Sequence, residues 1–195
     1  LYAPEPENMY APDHATWVEV PALANTLCGL SRPIHFRGVC TVVLKLFMLA
    51  QPSLAVFGEK DWQQLAIIKK MVSDLNVPVE VVGRPIVREA DGLALSSRNV
   101  YLTPEERAQA PQIRKSLEMA AGLAAGGERD AARIIEAVRG YLAEHLPTGE
   151  EDYISIVDPA VLTKVDRIED MALCALAIRL GKARLIDNIL LKVGE

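Results

Sequence analysis

The spacing of apolar residues in the first half of the chain predicts a strand, a helix and a second strand. An apolar run at 54–57 is followed by apolar residues that recur at the spacing of one helical face. These residues are Leu65, Ile68, Met71, Val72 and Leu75. A short apolar segment at 79–83 follows. Such a βαβ unit of roughly thirty residues predicts two parallel strands joined by a right-handed crossover.

Two other segments of the first half also carry patterns. The apolar run at 39–49 contains Lys45 and is longer than an ordinary strand, so it predicts a buried helix. Segment 16–20 alternates apolar and polar residues, which predicts a half-exposed strand. Together these elements predict an α/β fold with part of a Rossmann-like parallel sheet over residues 1–90.

The pattern changes between residues 86 and 95. Thr103 is placed to cap a helix that has Pro104 at its first position, and Glu106 completes a capping box. A second helix is predicted at about 131–145. One apolar stripe runs along it, formed by Ile134, Ile135, Val138 and Leu142.

Apolar stretches at 153–157, 172–180 and 183–191 follow the two helices, and Gly181-Lys182 is a suitable hairpin turn between the last two. Helices followed by antiparallel strands predict a small α+β domain. The sequence thus predicts this second domain over residues 91–195.

Composition narrows the class of protein. Of the 195 residues, 50% are hydrophobic and 24% are charged, which is typical of a globular protein with a sizeable core. We expect no membrane span, because no apolar run approaches about 18 residues. Three cysteines without paired spacing favour reduced thiols and a cytoplasmic location over disulfides or zinc. A net charge of −5 without a basic cluster argues against nucleic acid as a partner.

The first candidate site lies at the connection between the predicted strand at 54–57 and the helix that follows it. Ligands bind at the carboxyl ends of parallel strands. Gly58 permits close approach of a ligand, the helix start offers unpaired N–H groups, and Lys60 adds a positive charge, which together suit a phosphate. Gln64 lies one helical turn after Lys60. The residues alone leave an ordinary surface turn equally open.

The second candidate is the segment Ser96-Ser97-Arg98. Two hydroxyls and a guanidinium suit a polyphosphate, since arginine engages two phosphate oxygens at once. A polar linker would have the same composition. The preceding Asp91-Gly92 suggests a hinge that leaves residues 88–99 mobile until a phosphate binds.

Three motifs along the chain resemble the pantothenate synthetase family. They are G-E-K-D-x-Q-Q at 58–64, L-S-S-R at 95–98 and R-P-x-H-F-R-G at 32–38. Their order and spacing are those of the family, and the resemblance extends to the A-R-L-I-D-N segment at 183–188. It implies a fold of the nucleotidyltransferase superfamily that is similar to class I aminoacyl-tRNA synthetases. Within this resemblance, Asp187-Asn188 is expected to turn or tie the last strand.

The resemblance implies a two-step ligase reaction. Pantoate and ATP would form pantoyl adenylate and pyrophosphate, and β-alanine would then displace AMP to give pantothenate. ATP with Mg²⁺ and a homodimer are implied as well. Two rivals stay open from the sequence: another enzyme of the nucleotidyltransferase superfamily, or a non-catalytic folded assembly fragment.

The resemblance also assigns residues. Lys60 and Arg98 are implied as catalytic residues, the first near the α-phosphate and the second on the leaving pyrophosphate. Gln64 is implied to bind pantoate and Arg32 to contact a phosphate or carboxylate, with His35 in support. The implied nucleotide contacts are Gly58, Glu59, Lys60, Asp61, Val87, Leu95, Ser96, Ser97 and Arg98. No metal ligand is assigned, and His14 and His145 are expected to be solvated.

One family feature has no counterpart in the sequence. The family carries an H-x-G-H type motif after its first strand, and no two of His14, His35 and His145 share such a motif. The chain also begins at Leu1. These observations lead us to expect a fragment that lacks roughly the first third of the enzyme and is inactive alone.

Overall fold

The computed structural model describes residues 3–194, which divide into two compact units. The first unit comprises residues up to 57 together with 63–84, and the second comprises 58–62 together with residues from 85 onward. The chain leaves the first unit between residues 84 and 85, next to the change of pattern predicted at 86–95. The division into domains 1–90 and 91–195 stays a prediction.

The elements in the first half of the chain are mostly helical. In chain order they are α1 (Pro6–Met9), α2 (Pro21–Ala24), α3 (Cys28–Ser31), α4 (His35–Ala50), β1 (Leu54–Gly58), α5 (Trp62–Asp74) and β2 (Glu80–Arg84). A 3₁₀-helix, Glu59–Asp61, separates β1 from α5. The predicted βαβ unit is confirmed, because β1 and β2 form a parallel two-stranded sheet.

Helix α4 confirms the helix predicted from the run at 39–49. Its inward face buries Phe36, Cys40 and Phe47, and burial raises the pKa of the Cys40 thiol to about 11. The helix ends where Gln51 adopts a left-handed backbone conformation and donates its N–H to the carbonyl of Phe47. Phe47 also packs edge-on against Phe57 of β1, with ring centroids 6.5 Å apart.

The strand predicted at 16–20 was wrong. This segment has no regular secondary structure and pairs with neither strand of the first unit in the part of the chain that the structure describes. The N–H of Val18 instead donates to the hydroxyl of Thr41 on α4 at 3.1 Å, and the guanidinium of Arg37 lies 4.9 Å from the centre of the Trp17 ring. The alternation in sequence therefore reflects packing of a single irregular segment on a helix.

The second unit places helices against an antiparallel sheet. Its elements after a 3₁₀-helix at Ser97–Tyr101 are α6 (Pro104–Gln109), α7 (Gln112–Ala125), α8 (Ala131–His145), β3 (Gly149–Val157), β4 (Met171–Leu180) and β5 (Ala183–Lys192). Both halves of the predicted capping box are present at the start of α6, between Thr103 and Glu106. Helix α7 packs on β5, and α8 packs on α7 and β3.

The sheet order is β3-β4-β5, and both pairs are antiparallel. Leu180 pairs with Ala183 across the predicted turn, where Gly181 has a φ of +54° that favours glycine. The core lies between the sheet and the helices and buries Leu117, Ile134 and Leu176 completely. The predicted α/β fold, with helices on an antiparallel sheet in the second half, is therefore confirmed.

Candidate functional site

A cavity of about 400 Å³ opens in the second unit. Its volume falls within the range of roughly 300–1,000 Å³ that is usual for small-molecule sites. The lining residues are Gly58, Lys60, Asp61, Pro85, Ile86, Val87, Leu95, Ser96, Ser97 and Arg98. The structure thus brings together every residue predicted to contact the nucleotide except Glu59, which does not line the cavity.

Gly58 ends β1 at the mouth of this cavity. Its φ of −76° and ψ of 135° are open to any residue, so the backbone conformation itself does not require glycine. A Cβ added at Gly58 would meet no atom within 4 Å. The absence of a side chain therefore leaves open space at a cavity wall, where the backbone is accessible to a ligand.

Lys60 lies on the short 3₁₀-helix and is half-buried. Burial lowers the pKa of its ammonium group, and the positive charge of Arg98 lowers it further. The carboxylates of Asp61 and Asp187 act in the opposite direction. An anion entering the cavity would meet two cations, and it would relieve the repulsion between them.

Ser96 also lines the cavity. Its hydroxyl accepts a hydrogen bond from the N–H of Arg98 at 3.2 Å and so caps the 3₁₀-helix that carries Ser97 and Arg98. Among the described residues, the guanidinium of Arg98 has no ion-pair partner. Val87 and Leu95 add exposed apolar surface, at 67% and 56% exposure. The cavity combines polar groups suited to phosphates with apolar groups suited to a planar ring.

Comparison with known proteins gives the family. A sequence profile described as Pantoate-beta-alanine ligase matches residues 1–190. The chain belongs to the pantoate–β-alanine ligase family. It is 66% identical over 195 residues to a pantothenate synthetase of Nitratidesulfovibrio vulgaris (strain Miyazaki F), and it covers 69% of that protein. A pantothenate synthetase of Heliobacterium modesticaldum is 51% identical over 193 residues and is covered to 68%.

Solved structures of the ligase family agree. Pantothenate synthetase from Thermus thermophilus matches 96% of this chain with a TM-score of 0.91 and 46% identity. A pantoate–β-alanine ligase from Francisella tularensis, complexed with "Beta-gamma ATP and Beta-alanine", matches 94% with a TM-score of 0.69 and 30% identity. This chain covers 68% of the first structure and 61% of the second, so it spans about two thirds of its relatives' length.

The loop before Ser96 is held by several contacts. Gly92 has a φ of +91° in a tight turn, and Arg88 pairs with Ala94 across that turn. Arg107 of α6 forms ion pairs with Glu89 at 2.7 Å and with Asp91 at 2.6 Å. Asp91-Gly92 is therefore a hairpin turn braced by Arg107. The mobility expected of residues 88–99 without a bound phosphate stays a prediction.

The predicted substrate residues of the ligase lie in the first unit. Gln64 is half-buried on α5, and Arg32 is exposed at the end of α3, where its guanidinium lies 3.3 Å from Nε2 of His35. Their assignment to the substrate stays a prediction. The adjacent Gln63, which has no predicted role, is 5% exposed.

Gln63 has a structural role within the ligase motif. Its Nε2 donates to the carbonyls of Leu23 at 2.9 Å and Thr26 at 2.7 Å, and its Oε1 accepts from the N–H of Cys28 at 3.0 Å. The sequence signal for this role was the pair of adjacent glutamines in the motif. Neighbouring residues of a helix point in different directions, so one of the two was placed to face the protein interior.

The histidine expectations are met only in part. His145 is exposed beside Tyr141. His14, expected to be solvated, instead lies edge-on between the rings of Tyr10 and Trp17, at centroid distances of 5.1 Å and 5.0 Å. The aromatic side chains bury its Nε2, which has no hydrogen-bond partner in the part of the chain that the structure describes.

Within residues 3–194, no cluster of three or more histidine, cysteine or acidic side chains is arranged to hold a metal ion. Within the same residues, no helix is both long enough and apolar enough to cross a membrane.

Proposed function

We propose that this protein acts in the ATP-dependent condensation of pantoate with β-alanine, through a pantoyl-adenylate intermediate. The main observation in support is that Lys60, Ser96, Ser97 and Arg98 line one cavity, together with Gly58 at the end of β1. Family membership supports the reaction, and the Francisella tularensis relative, complexed with β,γ ATP and β-alanine, supports the ligands.

The proposed chemistry needs no protein nucleophile. A carboxylate oxygen of pantoate attacks the α-phosphorus of ATP, the bond to the bridging oxygen breaks, and pyrophosphate leaves. The amine of β-alanine then attacks the acyl carbon of the adenylate, AMP leaves, and the nitrogen loses a proton. Catalysis consists of positioning and of stabilising charge on the phosphates.

Lys60 and Arg98 are the proposed catalytic residues. Lys60 would contact the α-phosphate and stabilise its negative charge while the carboxylate of pantoate attacks the phosphorus in the first step. Arg98 and Ser97 would hold the β- and γ-phosphates and stabilise the departing pyrophosphate. Preorganised cations suit this task, because they need little reorganisation as the reaction proceeds.

The adenine would lie against the apolar wall of the cavity. Val87 and Leu95 expose their side chains there, and the main chain at Val87 offers polar groups to the ring edge. Glu59 and Asp61 complete the proposed nucleotide contacts. Asp61 is the carboxylate among the lining residues.

Mg²⁺ is proposed to accompany ATP. This ion prefers oxygen ligands and usually binds through substrate phosphates, waters and one or two carboxylates. Asp61 fits that pattern and would be its protein contact. The ion would neutralise phosphate charge when bound.

Gln64 and Arg32 are proposed to bind substrate. The amide of Gln64 would hydrogen-bond pantoate and discriminate against analogues that lack its polar groups. Arg32 would contact a carboxylate or phosphate. A homodimer and a cytoplasmic location complete the proposal, and both rest on the resemblance and the composition.

Calorimetric titration with ATP and magnesium tests the nucleotide site. We expect binding by the wild-type chain and a loss of at least about tenfold in affinity, or ~1.4 kcal/mol, in Lys60→Ala and in Arg98→Ala. Lys115→Ala, at an exposed position on α7, is the control and should bind normally. Absence of ATP binding by the wild-type chain, or equal affinity in all variants, would contradict the proposed function.

A further inference from the structure

Strand β5 carries two buried polar residues side by side. Asp187 and Asn188 are 3% and 6% exposed, in a strand at the edge of the three-stranded sheet. Polar side chains that are buried in a strand need hydrogen-bond partners. The partners of these two residues lie in the two segments that form the candidate nucleotide cavity.

Asn188 holds the segment that carries Lys60. Its Nδ2 donates to the carbonyl of Glu59 at 2.9 Å and to the carbonyl of Lys60 at 3.0 Å. Both contacts join groups that are more than a hundred residues apart in the chain. Two bonds to consecutive carbonyls restrain the rotation of this 3₁₀-helix, and hence the direction of the Lys60 side chain.

Asp187 holds the segment that leads to Arg98. Its carboxylate accepts two hydrogen bonds from the guanidinium of Arg88, at 2.7 Å and 2.9 Å. Arg88 also donates to the carbonyl of Gly92 at 3.0 Å and pairs with Ala94. The ion pair therefore anchors the base of the hairpin that runs into Ser96-Ser97-Arg98.

The geometry of a strand explains how one dipeptide serves both segments. Successive side chains of a strand point to opposite sides, so Asp187 and Asn188 reach different partners. The N–H of Asn188 also donates to Oδ1 of Asp187 at 2.8 Å, which links the two contacts. Strand β5 contacts both 3₁₀-helices, Glu59–Asp61 and Ser97–Tyr101.

We propose that Asp187 and Asn188 are positioning residues that set the spacing between the Lys60 and Ser96–Arg98 halves of the nucleotide site. The inference rests on the proposed function, since it assigns these residues a role in ATP binding without contact to ATP. A site whose two halves already lie at the right separation binds its ligand more tightly, because less conformational entropy is lost on binding. The negative charge of Asp187 also raises the pKa of Lys60 and so favours its protonated form.

The test uses Asn188→Asp. This substitution preserves shape but replaces the donor with an oxygen that repels the carbonyls of Glu59 and Lys60. Ile156→Val, in the core of the same sheet, is the control for a general loss of stability. Hydrogen exchange of the ligand-free proteins reports on residues 58–62, and titration with ATP and magnesium reports on affinity.

We expect faster exchange at 58–62 in Asn188→Asp and a loss of about tenfold in ATP affinity, against little change in the control. Asp187→Asn should speed exchange at 88–99 and move the alkaline loss of ATP affinity to lower pH, which a merely structural residue would not do. If Asn188→Asp does not fold, Asn188→Ala, which removes the donor without adding charge, gives the same comparison.

Exchange and affinity equal to those of the control would overturn the inference. A different result would show that the proposed function itself is wrong. In that case the wild-type chain would not bind ATP, while the exchange of 58–62 in the ligand-free variants would still decide whether Asn188 holds this segment.

Discussion

Lys60 and Arg98 line the same cavity, and the pKa of Lys60 is lowered by burial and, to a smaller extent, by the positive charge of Arg98. Their repulsion is maintained by the fold, since Lys60 lies on a 3₁₀-helix anchored to β5 and Arg98 lies on another that is capped by Ser96. Two cations that line one cavity are typical of a binding site for a polyanion.

This relationship predicts how ATP affinity depends on pH. Lys60 binds phosphate while protonated, so affinity should fall as pH rises through its pKa, which lies below the ordinary value of 10.5. Arg98→Gln should weaken binding overall but shift this alkaline loss to higher pH, because the repulsive charge is gone. Titrations from about pH 7 to pH 10.5 would measure the shift. Arg133→Gln, at an exposed position, is the control; an unchanged midpoint in Arg98→Gln would refute the coupling.

Gly58→Ala should separate binding from stability. The backbone conformation of Gly58 is open to alanine, and the added methyl meets no protein atom, so the free energy of unfolding should change by less than about 0.5 kcal/mol. The methyl would occupy space proposed for the nucleotide, and ATP affinity should fall by about tenfold. Gly140→Ala on α8, which also meets nothing within 4 Å, should leave affinity unchanged. Normal affinity in Gly58→Ala would argue against close approach of ATP to this backbone.

The two glutamines of α5 should respond differently to substitution by leucine. Gln63→Leu removes the partner of two carbonyls and one N–H. It should lower the free energy of unfolding by about 2–4 kcal/mol, since a fully buried unsatisfied group costs about 1–3 kcal/mol and two of these three bonds are only partly buried. Gln64→Leu should change stability little. Urea unfolding measures both, with the two units allowed separate transitions. Equal losses in the two variants would contradict the structural role assigned to Gln63.

Arg107 should make the 88–94 hairpin sensitive to acid. Hydrogen bonds from Asn99 and Arg107 lower the pKa of Glu89, and a hydrogen bond from Arg107 lowers the pKa of Asp91. A carboxylate with a lowered pKa stabilises the fold above its ordinary pKa, and that contribution is lost as pH falls through the lowered value. The protection of residues 89–95 against hydrogen exchange, relative to the intrinsic exchange rate at each pH, should therefore fall in acid, below the ordinary pKa values of 4.5 and 3.8.

In Arg107→Gln the hairpin should exchange faster at neutral pH and respond less to acid. The effect should be modest and should weaken with salt, because these side chains are partly exposed. Arg133→Gln, on α8, is the control. The same acid dependence of exchange at 89–95 in Arg107→Gln as in the control would count against the brace.

The exposed apolar surface of the first unit predicts self-association. Its exposed apolar side chains include Leu30, Ile34, Met48, Leu49, Leu54 and Val56. Parallel sheets are normally covered on both faces, and contiguous exposed apolar surface marks an interaction site. Light scattering at rising concentration should show dimers or larger species, and Val56→Lys should reduce them more than Val161→Lys in the second unit. A monodisperse monomer at high concentration would contradict this expectation and the proposed homodimer.

The sequence alone determined the elements that depend on near neighbours. The capping box of Thr103 and Glu106 spans three residues, and the apolar stripe of α8 repeats within one helix. The turn at Gly181 joins strands that pair immediately. The cavity-lining residues were likewise found as short motifs at 58–61 and 95–98. Local periodicity and turn chemistry decide such features, so they are readable before any tertiary contact forms.

Only the tertiary structure decided which distant residues become partners. Segment 16–20 has the alternation of a strand, yet a ladder needs a neighbouring strand, and its polar groups meet a helix instead. Asp187 finds Arg88 at a separation of 99 residues, and nothing local distinguishes that pairing from any other. Gln63 and Gln64 differ only in which side of α5 faces the loop at 23–28. These outcomes depend on packing between segments far apart in the chain, because burial and hydrogen-bond satisfaction are properties of the assembled fold.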